Sequence, residues 1–272
     1  MRRIAWLSEK GGTGKTTSAI NSAVGLTRLG LRVLLIDADP QGNASLVLLR
    51  GQPADPPTLH HVLLNEADAA DAVRATGVDR LDILPADASL ADANLALAGE
   101  LGRERRLRLA MQGVEEDYDF VVVDTSPTRS LLNVNVLNYV DEVLVPLDPG
   151  LFSLSGLGQL QQAVDDVRRY LDNRSLRIGG LVLTRTASNN VARDVERQVR
   201  ELFGELVHAT TIPTNAKVEE AHSRYQSVLD YAPRSAGARA YASLVKEIIH
   251  GRGTKDGTGG ASDGLAPADE AA

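Results

Sequence analysis

The chain has 272 residues, 43% of them hydrophobic and 24% charged, a composition and length that suit a soluble protein with a substantial buried core. It contains no cysteine, which excludes disulfides, zinc–thiolate centres, iron–sulfur clusters and a cysteine nucleophile. A net charge of −7 argues against a surface that is basic throughout, so any contact with nucleic acid must use a local patch.

Taken in chain order, short apolar runs alternate with helical periodicity. A strand is expected at residues 4–7, interrupted by Ser8-Glu9-Lys10 before it could serve as a secretory signal. A helix then opens at Lys15, carries Ile20, Ala23, Val24 and Thr27 on one face and stops at Gly30. Further strands are expected at 33–36, 81–84, 120–123, 143–146, 180–183 and 207–211, and further helices over about 88–113, 154–171, 191–203 and 235–250. Several strands are unbroken Val/Ile/Leu, the pattern of strands covered on both faces. The alternation predicts a three-layer α/β domain with a mostly parallel sheet over residues 1–250. Residues 251–272, rich in Gly, Ala, Asp, Thr and Ser, read as a disordered tail with no apolar face for a bilayer. No run reaches the ~20 apolar residues of a membrane span. Charge is uneven: residues 50–100 carry nine acids against three arginines, whereas 185–250 carry nine basic residues against eight acids.

In open parallel sheets ligands bind beyond the carboxyl ends of the strands, so the residues just after each apolar run matter most. After the first comes Glu9-Lys10-Gly11-Gly12-Thr13-Gly14-Lys15-Thr16-Thr17. Glycines there let backbone N–H groups converge on phosphate oxygens at the positive end of a helix. Lys15 would reach the outer phosphates and the Thr16 hydroxyl would ligate Mg²⁺. The strict pattern is broken because Glu9 stands where its first glycine belongs. A dinucleotide loop is the rival reading, with Asp37 about twenty residues on. It would require a small residue at Thr17 and gives Lys15 no role. The second run ends Asp37-Ala38-Asp39-Pro40-Gln41-Gly42-Asn43, which places two carboxylates on one side of extended chain. ATP hydrolysis needs a group that orients water and support for Mg²⁺. A third run, Phe120 to Val123, ends in Asp124-Thr125-Ser126-Pro127 and reads as a Walker B strand, with Asp124 holding a water on Mg²⁺ or bonding Thr16.

Together the loop Lys10-Gly11-Gly12-Thr13-Gly14-Lys15-Thr16-Thr17 and the segment D-x-D-P-Q-G-N resemble the ParA/MinD group of P-loop ATPases, with its deviant Walker A motif, over about residues 3–250. Arg103-Glu104-Arg105-Arg106-Leu107-Arg108 resembles the basic helix that the family carries before Walker B. Val143-Leu144-Val145-Pro146, Ser153-Leu154-Ser155-Gly156-Leu157, Glu220-Ala221-His222-Ser223 and the stretch from Tyr231 to Ala238 extend the match.

The resemblance implies a three-layer P-loop NTPase domain that uses ATP and Mg²⁺. Residues Lys10, Gly11, Gly12, Thr13, Gly14, Lys15, Thr16 and Thr17 would cradle the nucleotide, and Lys10 would reach across a dimer interface to the partner's ATP. Lys15 and Lys10 would assist catalysis while Asp37 positions or activates the attacking water. Asp39 would support Mg²⁺ through coordinated water, beside Thr16 and Asp124. Pro213 and Asn215, in Ile212-Pro213-Thr214-Asn215, would lie against the adenine. Two departures stand out: Ser126 replaces the first proline of the family's Asp-x-Pro-Pro, and Ser188-Asn189-Asn190 occupies a loop that often carries arginine.

What the resemblance implies about function is an ATP-driven homodimer that binds double-stranded DNA without sequence preference. A ParB-like centromere-binding partner would stimulate hydrolysis during chromosome or plasmid partition. The expected address is cytoplasmic and nucleoid-associated, without membrane. The phosphate loop begins at residue 10, which implies the short form without a preceding helix-turn-helix region. Candidate DNA contacts are Lys217, Arg193, Arg197 and Arg224, with Arg234 and Arg239 nearby. Alternating charge such as Arg193-Asp194 and Glu196-Arg197 equally suits surface ion pairs. A relative that positions another cargo, or a MinD-like membrane-site ATPase, would share the chemistry. His60, His61, His208, His222 and His250 lack metal-ligand spacing.

Overall fold

In Val33-Leu34-Leu35-Ile36 every side chain is apolar, so a strand made of it can be stable only where both faces are covered. The computed structural model, which describes residues 1–128, 130–149, 154–187 and 190–250, places it inside one seven-stranded sheet. The strands are β1 (Arg2–Trp6), β2 (Val33–Ala38), β3 (Arg74–Ala75), β4 (Leu81–Leu84), β5 (Phe120–Thr125), β6 (Glu142–Leu147) and β7 (Arg177–Leu183). Their order is β3-β4-β2-β5-β1-β6-β7, and all neighbours are parallel except β3 with β4. The pleat sends Leu34, Ile36, Val121 and Val123 into one core with Val136, Leu137, Leu160 and Val164. It sends Val33, Leu35, Val122 and Trp6 into a second core, with Ile20 and Val24 of α1 (Lys15–Thr27) and with Tyr241 and Leu244 of the helix Ala236–His250. The three-layer expectation holds. Among the described residues no helix is long and apolar enough to cross a membrane.

Helix α1 stops where expected: Gly30 takes φ +88° and donates its N–H to the Thr27 carbonyl at 2.9 Å. Two expectations are corrected. Residues 207–211 are not a strand: isolated bridges pair Leu181 with Val207 and Thr186 with Pro213, and the His208 and Ile212 N–H groups donate to the Leu181 and Leu183 carbonyls, both at 2.8 Å. Between those two bonds the Glu247 carboxylate accepts the N–H groups of Ala209 and Thr210 at 3.0 and 2.9 Å, so Thr210 does not continue the pairing. The stretch 88–113 is not one helix but short turns, Ala88–Asp92, Ala93–Ala96, Arg103–Arg105 and Arg106–Ala110. Gly102 at φ +67° breaks it, and the Asn135 side chain accepts the Leu107 N–H at 3.1 Å in place of a preceding helical carbonyl. The expected tail 251–272 lies outside the described residues, as do Arg129, Ser153, Ser188 and Asn189.

At the amino end of the strands, away from the carboxyl edge, Glu142 fastens β1, β6 and β7 together. Arg2 Nη2 donates to both of its carboxylate oxygens at 3.1 and 3.2 Å, and Arg177 Nη2 donates at 2.6 Å. Arg2 Nη1 also reaches the Ile248 carbonyl at 2.5 Å, which adds the C-terminal helix. The Glu142 side chain is only 10% exposed, so its removal leaves Arg2 poorly compensated. Glu142→Ala is expected to cost about 2 kcal/mol. The urea midpoint should fall at unchanged slope, with ATP affinity unaffected.

Candidate functional site

The strand order seats β1 between β5 and β6, with β2 on the far side of β5. The segments that follow β1, β2 and β5 therefore emerge side by side at the carboxyl edge of the sheet. Asp37 and Asp124 are direct register partners across β2 and β5, and Trp6, which precedes the phosphate loop, is the register partner of Asp124 across β1 and β5. Three motifs far apart in the chain thus form one site.

Gly12 and Gly14 hold the loop at φ +77° and +88°, and Gly14 is the N-cap of α1. An added Cβ at either would meet nothing within 4 Å, so backbone conformation, not crowding, calls for glycine there. The buried Thr13 offers its carbonyl to the Thr184 hydroxyl at 2.8 Å, which pins the loop to the end of β7. Lys15 is buried, and its Nζ donates to the Lys10 carbonyl at 3.1 Å. Burial lowers its pKa, while the charges of Asp124 and Asp39 oppose that fall. Thr16 and Thr17 open α1, with Thr16 next to Asp124, and Gly11 and Lys10 lie at the exposed rim.

The carboxylates are buried to different ends. Asp37 is fully buried; burial pushes its pKa up to about 6, against the hydrogen bonds it accepts from Ser45 and the Asp39 N–H. Asp124 is also fully buried, and burial together with the charge of Asp37 holds it well above the usual carboxylate range. The Thr16 hydroxyl and the Lys15 ammonium oppose that rise. Asp124 Oδ1 accepts the Thr125 N–H at 3.0 Å, whereas its buried Oδ2 has no hydrogen-bond partner. Asp39 caps its own turn by accepting the Gln41 N–H at 3.0 Å. An orphaned buried carboxylate oxygen beside a threonine hydroxyl and a second carboxylate suits a hard cation or its water. Among the described residues no three His, Asp or Glu side chains are grouped so that they could hold a metal ion.

On the far side of the loop, Pro213 and Asn215 line a cavity of about 90 Å³ with Gly14, Thr17, Arg185 and Tyr241. Asn215 also caps the helix Ala216–Ser223 by accepting the Lys217 N–H at 3.0 Å. The candidate DNA residues stand on two helices. Lys217 pairs with Glu220 at 2.7 Å, and Arg224 is exposed at the end of the same helix. Arg193 and Arg197 are exposed on Asn190–Phe203, where Arg197 pairs with Asp194 at 2.8 Å; Arg234 is exposed just before the last helix and Arg239 on it. Two further residues of the site, Ser45 and Thr184, belong to none of the motifs. Thr184 follows an apolar run directly, so the rule that finds Asp37 and Asp124 could have found it as well.

A family model described as an AAA domain matches residues 1–178. The chain is 38% identical over 246 residues to the sporulation initiation inhibitor protein Soj of Bacillus subtilis, covering 90% of this chain and 97% of that one. It is 41% identical over 252 residues to the chromosome partitioning protein ParA of Caulobacter vibrioides, covering 92% and 94%. Among solved structures, cobyrinic acid a,c-diamide synthase of Mycobacterium smegmatis, with bound ATP analogue and magnesium, superposes with a TM-score of 0.79 at 31% identity over 92% of this chain and 95% of that one. With its glycine loop and paired carboxylates assembled at one sheet edge, and with such relatives along nine-tenths of its length, the chain belongs to the ParA/Soj family of P-loop ATPases.

Proposed function

We propose that the protein is a Mg²⁺-dependent ATPase that switches between monomer and ATP-bound homodimer to partition DNA. The observation that carries this reading is the pair of buried, register-matched carboxylates, Asp37 and Asp124, beside a loop that contains Lys10 and Lys15. Backbone N–H groups of Gly11 to Thr17 and the start of α1 receive the phosphates. Lys15 exchanges the Lys10 carbonyl for the outer phosphates. Thr16, Asp39 and Asp124 would hold Mg²⁺, which when bound neutralises charge on the phosphate oxygens. Asp37, ionised at neutral pH and close to its pKa of about 6, orients the attacking water and can accept its proton as the bond from the γ-phosphorus to the ADP oxygen breaks. Pro213 and Asn215 flank the base. Lys10, at the rim, reaches the nucleotide of a second copy.

Among the relatives, the name of the Caulobacter vibrioides chromosome partitioning protein favours chromosome partition over other cargoes. On this reading the ATP dimer binds duplex DNA through Lys217, Arg193, Arg197 and Arg224 in each copy, which doubles a patch that is weak alone. A ParB-like centromere-binding protein stimulates hydrolysis and release, and the protein resides on the nucleoid. Random duplex DNA should retain the purified protein with ATP and not with ADP, and retention should fall steeply with salt. Equal retention with both nucleotides would remove the switch from the account.

A further inference from the structure

The Asp37 carboxylate is held unevenly. Ser45, buried in α2 (Asn43–Leu48), donates to Asp37 Oδ2 twice, from its backbone N at 2.8 Å and from its Oγ at 2.7 Å. The direction of the hydroxyl proton is settled by a third group: the Ala86 N–H donates into the same Oγ at 2.9 Å, which leaves the O–H to point at Asp37. Asp37 Oδ1 receives a single, longer bond from the Asp39 N–H at 3.2 Å. Gly42 lets α2 come this close to the loop after β4. A Cβ there would lie 3.1 Å from the Ala86 carbonyl oxygen, and its φ of +60° is one that side chains disfavour.

We propose that Ser45 is a positioning residue for hydrolysis: by occupying Oδ2 with two donors it fixes the rotation of the Asp37 carboxylate and leaves Oδ1 to face the attacking water. This rests on the reading of Asp37 as the water-orienting group. Ser45 also fastens α2 to the loop after β4, so the test must separate positioning from packing.

Ser45→Ala keeps the backbone donor and removes only the hydroxyl. It should lower kcat about ten- to hundredfold and leave the ATP Kd within about twofold. Ser45→Thr, which keeps the hydroxyl, should recover most of the rate. Asp37→Ala/Ser45→Ala should hydrolyse no more slowly than Asp37→Ala, because Ser45 acts only through Asp37. A wild-type kcat in Ser45→Ala, or losses in kcat and ATP affinity that Ser45→Thr fails to recover, would overturn the proposal. If Ser45→Ala does not fold, Ser45→Cys takes its place, since a thiol is a poor donor; wild-type kcat there would be equally fatal. If Asp37→Ala itself hydrolyses ATP at the wild-type rate, the reading of Asp37 fails, and this proposal with it.

Discussion

Lys15→Ala is expected to raise the ATP dissociation constant at least ~100-fold, through loss of a charge-assisted contact to the phosphates. The buried ammonium has one carbonyl partner, at Lys10, and faces the carboxylates of Asp124 and Asp39. Among the described residues no other lysine is placed to substitute: Lys10 lies at the exposed rim, and Lys217 and Lys246 stand on the helices Ala216–Ser223 and Ala236–His250. Removing Lys15 also takes a compensating charge from Asp124, whose pKa should rise further and weaken the ion site in the same step. Trp6 is the one tryptophan of the chain, at the end of β1 with its Nε1 donating to Ser22 Oγ at 3.0 Å. Its fluorescence offers a direct titration of nucleotide against the loop that follows it. An unchanged dissociation constant would show that the loop does not hold the phosphates.

Asp37→Ala should separate binding from turnover. ATP affinity should persist, kcat should fall about 10²–10⁴-fold, and ATP-bound dimers should accumulate in sedimentation because nothing discharges them. Continued hydrolysis would clear Asp37 of its role. The same variant carries a stability signature with a definite sign. Burial holds Asp37 near 6, above its ordinary value of 3.8, so between these values the native state binds more protons than the unfolded one. Stability from this group is therefore present at low pH and lost as pH rises through about 6. Asp37→Ala should lack that loss and gain in thermal stability relative to wild type as pH rises from about 4 to about 7. A difference between the two that does not vary with pH would contradict the buried, raised carboxylate.

The site was legible in the sequence because its chemistry sits just beyond apolar runs. Asp37 and Asp124 follow runs of Val, Ile and Leu, the loop to Lys15 follows Ile4 to Leu7, and a parallel sheet brings such positions to one edge. Ser45 was not legible. It lies eight residues beyond Asp37 and reaches it only because Gly42 turns the chain back, and the bond from Ala86 that orients its hydroxyl comes from a separate strand end. The false strand at 207–211 has a similar origin, since its local pattern is extended but Glu247, on the last helix, claims the Ala209 and Thr210 amides in its middle. In 88–113 the helical periodicity fails for two reasons: Gly102 breaks it from within, and Asn135 claims the Leu107 amide from outside the local window. Local pattern names an element; a distant side chain can still unmake it.

On the proposed function, the loop Lys10–Thr17 grips a triphosphate while a second copy closes over it. A crystal structure of Asp37→Ala grown with Mg²⁺ and ATP tests this most directly. Two chains should lie face to face, each triphosphate on its own loop with Lys10 of the opposite copy against it. A nucleotide bound elsewhere, or a nucleotide-loaded loop in a lone chain with Lys10 turned away, would contradict it.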